Sequence, residues 1–434
     1  MKKLASAILA ATLAVGLFAG CGGSAGTSSG SASSSTGSTS NSSSTTTTTT
    51  TGGATEGSTP AAAADLKVGF ICLHDENSTY DLNFINSAKA ACATLGIPES
   101  NYFIRTNIPE TAACYDAAAE LADAGCAYIF ADSFGHEDYM IQAAKEFPNV
   151  QFAHATGTRA HTEGLSNYHN AFASIYDGRY LAGIAAGLKL KEMIDAGEFT
   201  AEEAKMGYVG AYTYAEVISG YTSFYLGAKS IVPEVTMDVT FTGSWYDETA
   251  EKEGANNLIN AGCKLISQHA DSMGAPTACE SAGIPDVSYN GSTVDACPNT
   301  FIVSSRIDWA PYFEYSIGAV MRGESFDTDW CGSLETGSVA LTAVNEKAAA
   351  PGTQEAIDAA RAELIAGTRH VFDVSTFTVN GEHLDTFAPG AATDGTFDPS
   401  TPIVYDGYLH ESDYRSAPYL DITIDGINLL DTRF

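Results

Sequence analysis

The sequence predicts an α/β protein in which parallel β-sheets form two lobes. From residue 65 onwards, short apolar stretches rich in β-forming residues alternate with amphipathic stretches of helical length. The alternation occurs in two successive series. The roughly 370 residues involved also exceed what one open sheet around a single core accommodates. These three observations favour two lobes, each with its own sheet covered by helices on both faces.

The elements of both series follow from hydrophobic periodicity. The first series predicts strands at 66–73, 102–105, 128–131 and 150–154, and helices at 80–95, 110–124 and 137–147. The second predicts strands at 206–210, 235–241, 264–269 and 287–289, and helices at 216–231, 248–261 and 276–282. An eight-stranded (β/α) barrel would show the same alternation. It would rarely need the later segments 301–323, 339–344 and 371–379, of which the last two are expected to be strands.

Charge and composition exclude several classes of function. The chain has 21 Lys and Arg against 53 Asp and Glu, a formal net charge of −32. A field of that sign repels nucleic-acid backbones and anionic lipid headgroups, so no nucleic-acid partner and no polybasic membrane patch are expected. Only 17% of residues are charged and 44% are apolar, which is typical of a folded, acidic protein rather than a disordered one.

The first 64 residues read as an export signal and a spacer. Lys2 and Lys3 precede an apolar stretch at 4–20, and the segment ending at Cys21 resembles a bacterial lipobox, which predicts lipidation of Cys21. An ordinary secretory signal is the alternative. Residues 22–65 are almost entirely Gly, Ser, Thr and Ala, which predicts a flexible tether. We therefore expect a signal peptide at 1–20, a lipidated tether at 21–64, and a position on the outer face of the cell membrane of a Gram-positive bacterium.

No catalytic or metal-binding motif stands out. The sequence has no phosphate-binding loop, no dinucleotide fingerprint and no C-x-x-C motif, and the pairing of the eight cysteines after Cys21 stays open. His154 and His161 lie seven residues apart across a predicted loop, which is not zinc-ligand spacing. No cofactor and no metal are expected.

The loops that follow the predicted strands repeatedly combine aromatic rings with carboxyl or amide groups. Ligands of parallel α/β sheets bind beyond the carboxyl ends of the strands, so these loops predict a cleft for a flat, polar, heteroaromatic ligand. Each ring, taken alone, could instead cover the core of its lobe, and Asp75, Asp247 and Asp271 could instead cap helices. The recurrence after nearly every strand favours binding.

At these loops the sequence resembles the basic membrane protein family of bacterial ABC-transporter substrate-binding lipoproteins, specifically its PnrA-like, purine-nucleoside-binding group. The matching stretches are 131–136 (ADSFGH), 144–152 (AKEFPNVQF), 154–157 (HATG), 176–183 (YDGRYLAG), 207–210 (GYVG), 216–218 (EVI), 227–228 (GA), 268–272 (QHADS) and 308–312 (DWAPY). The resemblance implies a type I periplasmic-binding-protein fold, with two doubly wound parallel-sheet lobes around a hinged cleft.

On that pattern the chain would cross between lobes near 172–174, 299–302 and 330–338. Lobe 1 would comprise 65–172 plus 300–332, and lobe 2 would comprise 173–299 plus 333–385. Residues 386–434 would form a C-terminal extension without a counterpart in the family.

The resemblance also implies the binding residues. Tyr80 and Phe134 would stack on a purine-like ring, with Asp81 and Thr156 at its polar edges. The cleft would be completed by Tyr212, Trp245, Asp271, Asn290 and Asp308. Nucleoside-binding relatives carry a Phe near Gly220 and an Asp near Asn290, and that Asp helps to hold the ribose. This chain has neither residue there, so the resemblance also allows a free nucleobase such as adenine.

The leading hypothesis is an extracytoplasmic, monomeric solute receptor that delivers a purine nucleoside or nucleobase to a membrane permease without chemical change. One alternative is an exported nucleoside or sugar hydrolase acting through Asp81 and Asp308. Another is a sensing or adhesion lipoprotein on the same fold. The receptor hypothesis predicts that Tyr80→Ala removes most ligand binding.

Overall fold

The computed structural model describes residues 62–389 and 401–433. The predicted signal peptide, the predicted lipidation site Cys21 and most of the predicted tether lie outside the described residues. Within those two ranges, no helix combines the length and the apolar character needed to cross a membrane.

The first sheet has six parallel strands in the order β11-β5-β4-β3-β1-β2. They are β1 (Val68–Ile71), β2 (Tyr102–Arg105), β3 (Tyr128–Ala131), β4 (Gln151–Ala155), β5 (Tyr168–Ala173) and β11 (Asp329–Gly332). The associated helices are α1 (Thr79–Leu95), α2 (Ala112–Asp123), α3 (Glu137–Glu146), the short α4 (Ala160–Glu163) and α9 (Ala310–Arg322). Helix α1 packs against α9, and α2 packs against α3.

The second sheet has seven strands in the order β12-β10-β9-β8-β6-β7-β15. They are β6 (Lys205–Gly210), β7 (Thr236–Phe241), β8 (Leu265–Gln268), β9 (Asp286–Tyr289), β10 (Phe301–Ile307), β12 (Val339–Leu341) and β15 (Ile427–Leu429). Its helices are α5 (Ile175–Asp195), α6 (Ala215–Lys229), α7 (Glu248–Asn260), α8 (Gly274–Ala282) and α10 (Thr353–Ile365). Only β12 pairs in the antiparallel sense within this sheet. The prediction of an α/β protein with two parallel sheets is confirmed.

Capping residues place the helix α1, which faces the cleft. The Ser78 side chain accepts a hydrogen bond from the Asp81 amide at the start of α1, and Gly96 ends the helix in the left-handed conformation at φ 72°. Asp247 caps α7 in the same way by accepting from the Ala250 amide. These contacts satisfy backbone groups that the first and last helical turns leave without partners.

The chain passes from one sheet to the other after β5, after β10 and after β11. We expected the second of these crossings near 299–302, with 300–332 in lobe 1. The structure instead places Phe301–Ile307 in the second sheet, between β9 and β12. The buried run at the start of β10 pairs with β9, so the chain leaves the second sheet only after Ile307.

Two further expectations differ in detail. The stretch 371–379, expected to be a strand, consists of turns and bends with only isolated bridges. The expected strand 339–344 is shorter and ends at Leu341. Residues after 400 form a two-stranded hairpin, β13 (Val404–Tyr405) with β14 (Tyr408–Leu409), and then β15 joins the edge of the second sheet beside β7. The eight cysteines of the described ranges carry free thiols, and all but Cys331 are buried.

Candidate functional site: a closed cleft between the two sheets

A cavity of about 320 Å³ lies between the two sheets. Its walls come from the loops after strands of both sheets and from the C-terminal extension. The lining residues are Leu73, His74, Tyr80, Asp81, Ser133, Phe134, Thr156, Thr158, Thr213, Tyr214, Ala215, Glu216, Trp245, His269, Asp271, Tyr289, Arg415, Ala417 and Pro418. The carboxyl ends of strands therefore face one ligand-sized space, as expected for parallel α/β sheets.

Aromatic rings from both sheets contribute to the cavity wall. Phe134, which follows β3, and Tyr214, which precedes α6, approach to 5.2 Å between ring centroids. Their side chains are 41% and 40% exposed. Tyr80, in the first turn of α1, packs its ring edgewise on Phe84 and donates its hydroxyl proton to the Asp132 carbonyl at 2.8 Å. The rings of Tyr80, Phe134 and Tyr214 thus belong to different elements around one space.

The Asp81 carboxylate is held by two hydrogen bonds and by a close contact with the His74 ring. One oxygen accepts from the His74 amide at 2.8 Å, and the other accepts from the Ser78 hydroxyl at 2.6 Å. The second oxygen also lies 3.4 Å from Nδ1 of His74. Burial raises the pKa of Asp81, but these hydrogen bonds outweigh it and hold the pKa below the usual value. Asp81 therefore presents a negative charge to the cavity.

A second carboxyl group lies behind Asp81. Burial and the nearby Asp81 charge raise the pKa of Asp132 well above its usual value. Ligand atoms of Cys72, Asp81 and Asp132 lie within 4.8 Å of one another. Burial also raises the pKa of the Cys72 thiol. Because metal ligation needs deprotonated thiols and carboxylates, this buried group is better suited to sharing a proton than to holding a cation.

Thr156 and Asp271 add polar groups from opposite sheets. The Thr156 hydroxyl donates to the Ala155 carbonyl at 2.5 Å, which leaves its oxygen as an acceptor. Asp271 accepts from the Asn290 side-chain amide at 3.3 Å. Burial and the Asp81 charge raise the pKa of Asp271 well above its usual value. A protonated Asp271 can donate to a ligand as well as accept from it.

A buried chain of polar side chains supports Glu216 at the cavity wall. Arg179 donates to Nδ1 of His269 at 2.9 Å. Because an arginine only donates, Nδ1 must be the acceptor, and Nε2–H of His269 then donates to Glu216 at 2.6 Å. Burial lowers the pKa of His269 and favours this neutral tautomer. The Arg179 guanidinium also lies 3.3 Å over the Tyr289 ring.

The structure brings six of the nine predicted binding residues to this cavity: Tyr80, Asp81, Phe134, Thr156, Trp245 and Asp271. Two others lie behind the wall. Tyr212 stacks on Tyr214 at 5.0 Å between centroids, and Asn290 contacts Asp271. Both therefore support lining residues rather than line the cavity.

Asp308 is not part of this cavity. It lines a separate groove of about 420 Å³, where Arg306 donates to its carboxylate at 2.9 Å and the Ala310 amide donates to it at 3.1 Å. The reason is that β10 belongs to the second sheet, so Asp308 lies at a crossing between sheets. The hydrolase alternative requires Asp81 and Asp308 to flank one space. In the structure they line different spaces.

Several lining residues were absent from the sequence-based set. Glu216 and His269 lie within or beside stretches that carried the resemblance, and Tyr214 follows β6 like the other loop rings, so a signal for them existed. Arg415, Ala417 and Pro418 belong to the extension, for which no pattern indicated a position near the cleft. Arg415 is buried, and burial lowers its pKa to about 10.

Direct contacts between the two sides close the cleft around the cavity. The Thr79 amide donates to the Asp271 carbonyl at 3.1 Å, and the Thr79 hydroxyl contacts the same carbonyl at 3.2 Å. His74 and Tyr246 approach to 5.5 Å between ring centroids. With the pair Phe134 and Tyr214, these contacts bring the two sides together at several points around the space.

Comparison with known proteins identifies the family. Residues 99–366 match the family model described as ABC transporter substrate-binding protein PnrA-like. The chain belongs to this family. A purine-binding protein of Brucella abortus (strain 2308) is 32% identical over 265 residues, which covers 60% of this chain and 71% of the relative. The predicted family is therefore confirmed, and it is a family of transporter substrate-binding proteins rather than enzymes.

Two further comparisons complete this picture. A protein of Haloferax volcanii (strain DS2), whose name assigns it provisionally to glucose binding by an ABC transporter, is 33% identical over 210 residues, covering 48% of this chain and 50% of that protein. An ABC-transporter solute-binding protein of Conexibacter woesei has the same fold, with a TM-score of 0.58 at 19% identity. The match covers 70% of this chain and 98% of that one. Substrate-binding proteins of ABC importers work outside the cytoplasm.

Proposed function

We propose that this family member binds a purine nucleoside or nucleobase in the closed cavity and delivers it, unaltered, to an ABC permease. The observation that carries the proposal is the combination of rings from both sides with buried carboxyl groups around one space. Aromatic faces stack on a planar heterocycle, and the carboxyl groups hydrogen-bond to its edge. The purine-binding name of the Brucella relative supports the same ligand class.

The size of the cavity supports a small ligand. At about 320 Å³ it lies at the lower end of the range of small-molecule sites, roughly 300–1,000 Å³. The cavity fits a single base or nucleoside better than a dinucleotide or an oligosaccharide.

The charge of the cavity supports an uncharged ligand. Asp81 is held in its ionised form, and Glu216 adds a second carboxyl group to the wall. A phosphate group near these carboxyl groups would be repelled. We therefore expect nucleosides to bind more tightly than the corresponding nucleotides.

A second candidate ligand is a sugar, which the name of the Haloferax relative favours. Carboxyl groups that accept from hydroxyls and an aromatic face such as Trp245 would also suit a pyranose. The two candidates differ in what they use of the rings: a planar purine can stack between two aromatic faces, whereas a pyranose packs one face on a single ring.

Calorimetric titration of the full chain separates these candidates. The panel contains adenosine, guanosine, inosine, adenine, hypoxanthine, uridine, guanosine monophosphate and glucose, and each ligand is recovered and checked for change. We expect binding of at least one purine and at least tenfold weaker binding of the nucleotide. Binding of glucose with no purine binding would establish the second candidate instead, and conversion of a ligand would contradict the receptor function.

The cellular setting is also a proposal. We propose that Cys21 carries a lipid that anchors the chain to the outer face of the cell membrane of a Gram-positive bacterium. We also propose that the chain acts as a monomer. The lipobox-like sequence before Cys21 and the Ser/Thr/Gly-rich tether support the anchor. In cells that express the chain, the unaltered chain should incorporate a labelled fatty acid and a Cys21→Ser variant should not. Equal incorporation by both, or none by either, would contradict the lipid anchor.

A further inference from the structure

The C-terminal extension contributes directly to the cavity. We call residues 410–420 the strap. Arg415, Ala417 and Pro418 of the strap are lining residues, although the family match ends at residue 366. This part of the wall therefore lies outside the region that the chain shares with its family model.

The strap is bonded internally and joined to the second sheet. The buried carboxyl group of Glu411 accepts from the Tyr419 and Leu420 amides, each at 3.1 Å. Beyond the strap, β15 pairs with β7, and the Leu430 amide donates to the Val239 carbonyl. These contacts fix both the shape of the strap and its attachment to one side of the cleft.

The strap also reaches the first sheet. The Ser416 amide donates to Asp329 in β11 at 2.9 Å. The neighbouring Arg415 is 6% exposed and donates to the Ala417 and Pro418 carbonyls, each at 3.0 Å. The strap thus contacts both sides of the cleft at the point where it borders the cavity.

Arg415 changes the chemistry of the cavity wall. Among the described lining residues it is the one Arg or Lys, whereas Asp81, Glu216 and Asp271 are carboxyl groups. A guanidinium carries five N–H donors in one plane, so it can bond neighbouring acceptors on a ring in addition to the Ala417 and Pro418 carbonyls. The wall can therefore bind a ligand that carries hydrogen-bond acceptors on one side, facing Arg415, and donors on another, facing the carboxyl groups.

We propose that the strap is a fixed wall of the binding site and that Arg415 selects 6-oxopurines over 6-aminopurines. The choice of a purine rests on the proposed function above. A guanine ring offers O6 and N7 as adjacent acceptors, and an arginine recognises that pair well. Adenine places a donor amine where guanine has O6, so it suits arginine less. The ring N–H of a 6-oxopurine would then be available to a carboxyl group.

Titrations with matched purines test the selection by Arg415. We expect the unaltered chain to bind guanosine or hypoxanthine at least tenfold more tightly than adenosine or adenine. Arg415→Gln should weaken 6-oxopurine binding at least tenfold and 6-aminopurine binding less than threefold. The control Arg433→Gln, an exposed arginine of the same extension, should leave both unchanged. Equal weakening of both purine classes, or no weakening, would overturn the selection.

Hydrogen exchange of the unaltered, ligand-free chain tests the strap independently. The amides of Tyr419 and Leu420, which bond to Glu411 within the strap, should exchange as slowly as those of the second sheet. Exchange at the rate of an unstructured peptide would overturn the fixed wall, whatever the chain binds. A chain with protected strap amides that binds no purine would refute the proposed ligand and the role of Arg415, while the wall would stand.

Discussion

At the scale of single residues, Phe134 gives the clearest test of stacking. Its ring is 41% exposed at the edge of the cavity and faces Tyr214, so little of the core depends on it. Tyr80 is less suitable, because it also packs on Phe84 and bonds to the Asp132 carbonyl. Loss of binding after Tyr80→Ala would mix the loss of stacking with damage to the core.

Phe134→Ala should weaken binding of the purine ligand by about 1–3 kcal/mol, roughly 5- to 150-fold, because one stacking face is lost. Calorimetric titration measures the change. Ile365→Ala is the control, since Ile365 is 43% exposed and does not line the cavity. Unchanged affinity in Phe134→Ala, or equal losses in both variants, would show that the ring of Phe134 does not stack on the ligand.

Buried carboxyl groups make stability depend on pH. Burial raises the pKa of Glu411 to about 8 and the pKa values of Asp177, Glu251 and Asp286 to about 7. The folded state therefore holds protons that the unfolded state releases, so stability falls as pH rises towards 8. Buried histidines, whose pKa is lowered by folding, make stability rise with pH instead. They do so only below the ordinary histidine pKa of about 6.5.

The Glu411→Gln variant should lose part of this pH dependence. Between pH 6.5 and 8 its free energy of unfolding should fall less steeply than that of the unaltered chain, by up to about 1.4 kcal/mol per pH unit. Glutamine can keep the acceptor for the Tyr419 and Leu420 amides. Urea unfolding at several pH values measures the slopes, with the exposed Glu335→Gln as control. Parallel slopes in all three proteins would contradict the assignment to Glu411.

Sequence patterns predicted many of the residues that line the cavity, but not all of them. Tyr80, Phe134 and Trp245 follow strands whose carboxyl ends form the cleft, and this relation is local in sequence. Asp308 was misplaced because its position depends on which sheet β10 joins. Arg415 was missed because only the tertiary path of the extension brings it to the cavity.

At the scale of elements, α5 and α6 approach closely through glycines. A Cβ added at Gly227 would lie 2.1 Å from the Tyr180 carbonyl oxygen, and one at Gly183 would lie 2.1 Å from that of Phe224. Backbone atoms cannot yield as the end of a flexible side chain can. The pair therefore fixes the distance between the two helices on which Arg179 and Glu216 lie.

Gly227→Ala should destabilise the fold by about 1–3 kcal/mol or more, because the added methyl group forces α5 and α6 apart. Gly318→Ala is a matched helical control, since its added Cβ would meet the flexible end of Arg322 at 3.1 Å and Cδ2 of Leu95 at an ordinary contact distance of 3.9 Å. The control should change stability by less than about 1 kcal/mol. Urea unfolding compares the two. Equal stability of both variants would contradict the role of close packing.

Strands could be predicted from the sequence where every residue of the strand is buried. The strands β1 and β3 are buried along their whole length, and such apolar runs between turns identify them. The sheet to which β10 belongs was not predictable, because its apolar side chains would fit either core. The stretch 371–379 carries strand-like residues, but Val371, Phe372 and Phe377 are buried in an irregular segment instead.

At the scale of the whole molecule, contacts across the cleft, such as that between Thr79 and Asp271, hold the two sides together. We propose that a ligand enters through a more open form, so that binding shifts the population towards closure. The strap contacts both sides and is expected to remain on the second sheet during opening, because β15 attaches it there.

Small-angle X-ray scattering tests this closure. The radius of gyration of the full chain should decrease when a saturating purine is added, because the two sides come together. Uridine, which we expect not to bind, provides the control. An unchanged radius with a bound purine would show that the cleft is already closed without ligand.

We propose that this receptor traps a purine and releases it unaltered. Mass spectrometry of the small molecules released on denaturing freshly purified chain tests this, with Phe134→Ala chain prepared in parallel. We predict an intact purine base or nucleoside, near one per chain in the unaltered protein and depleted in the variant. Release of a sugar alone, or of a ligand equally abundant in both preparations, would contradict the claim.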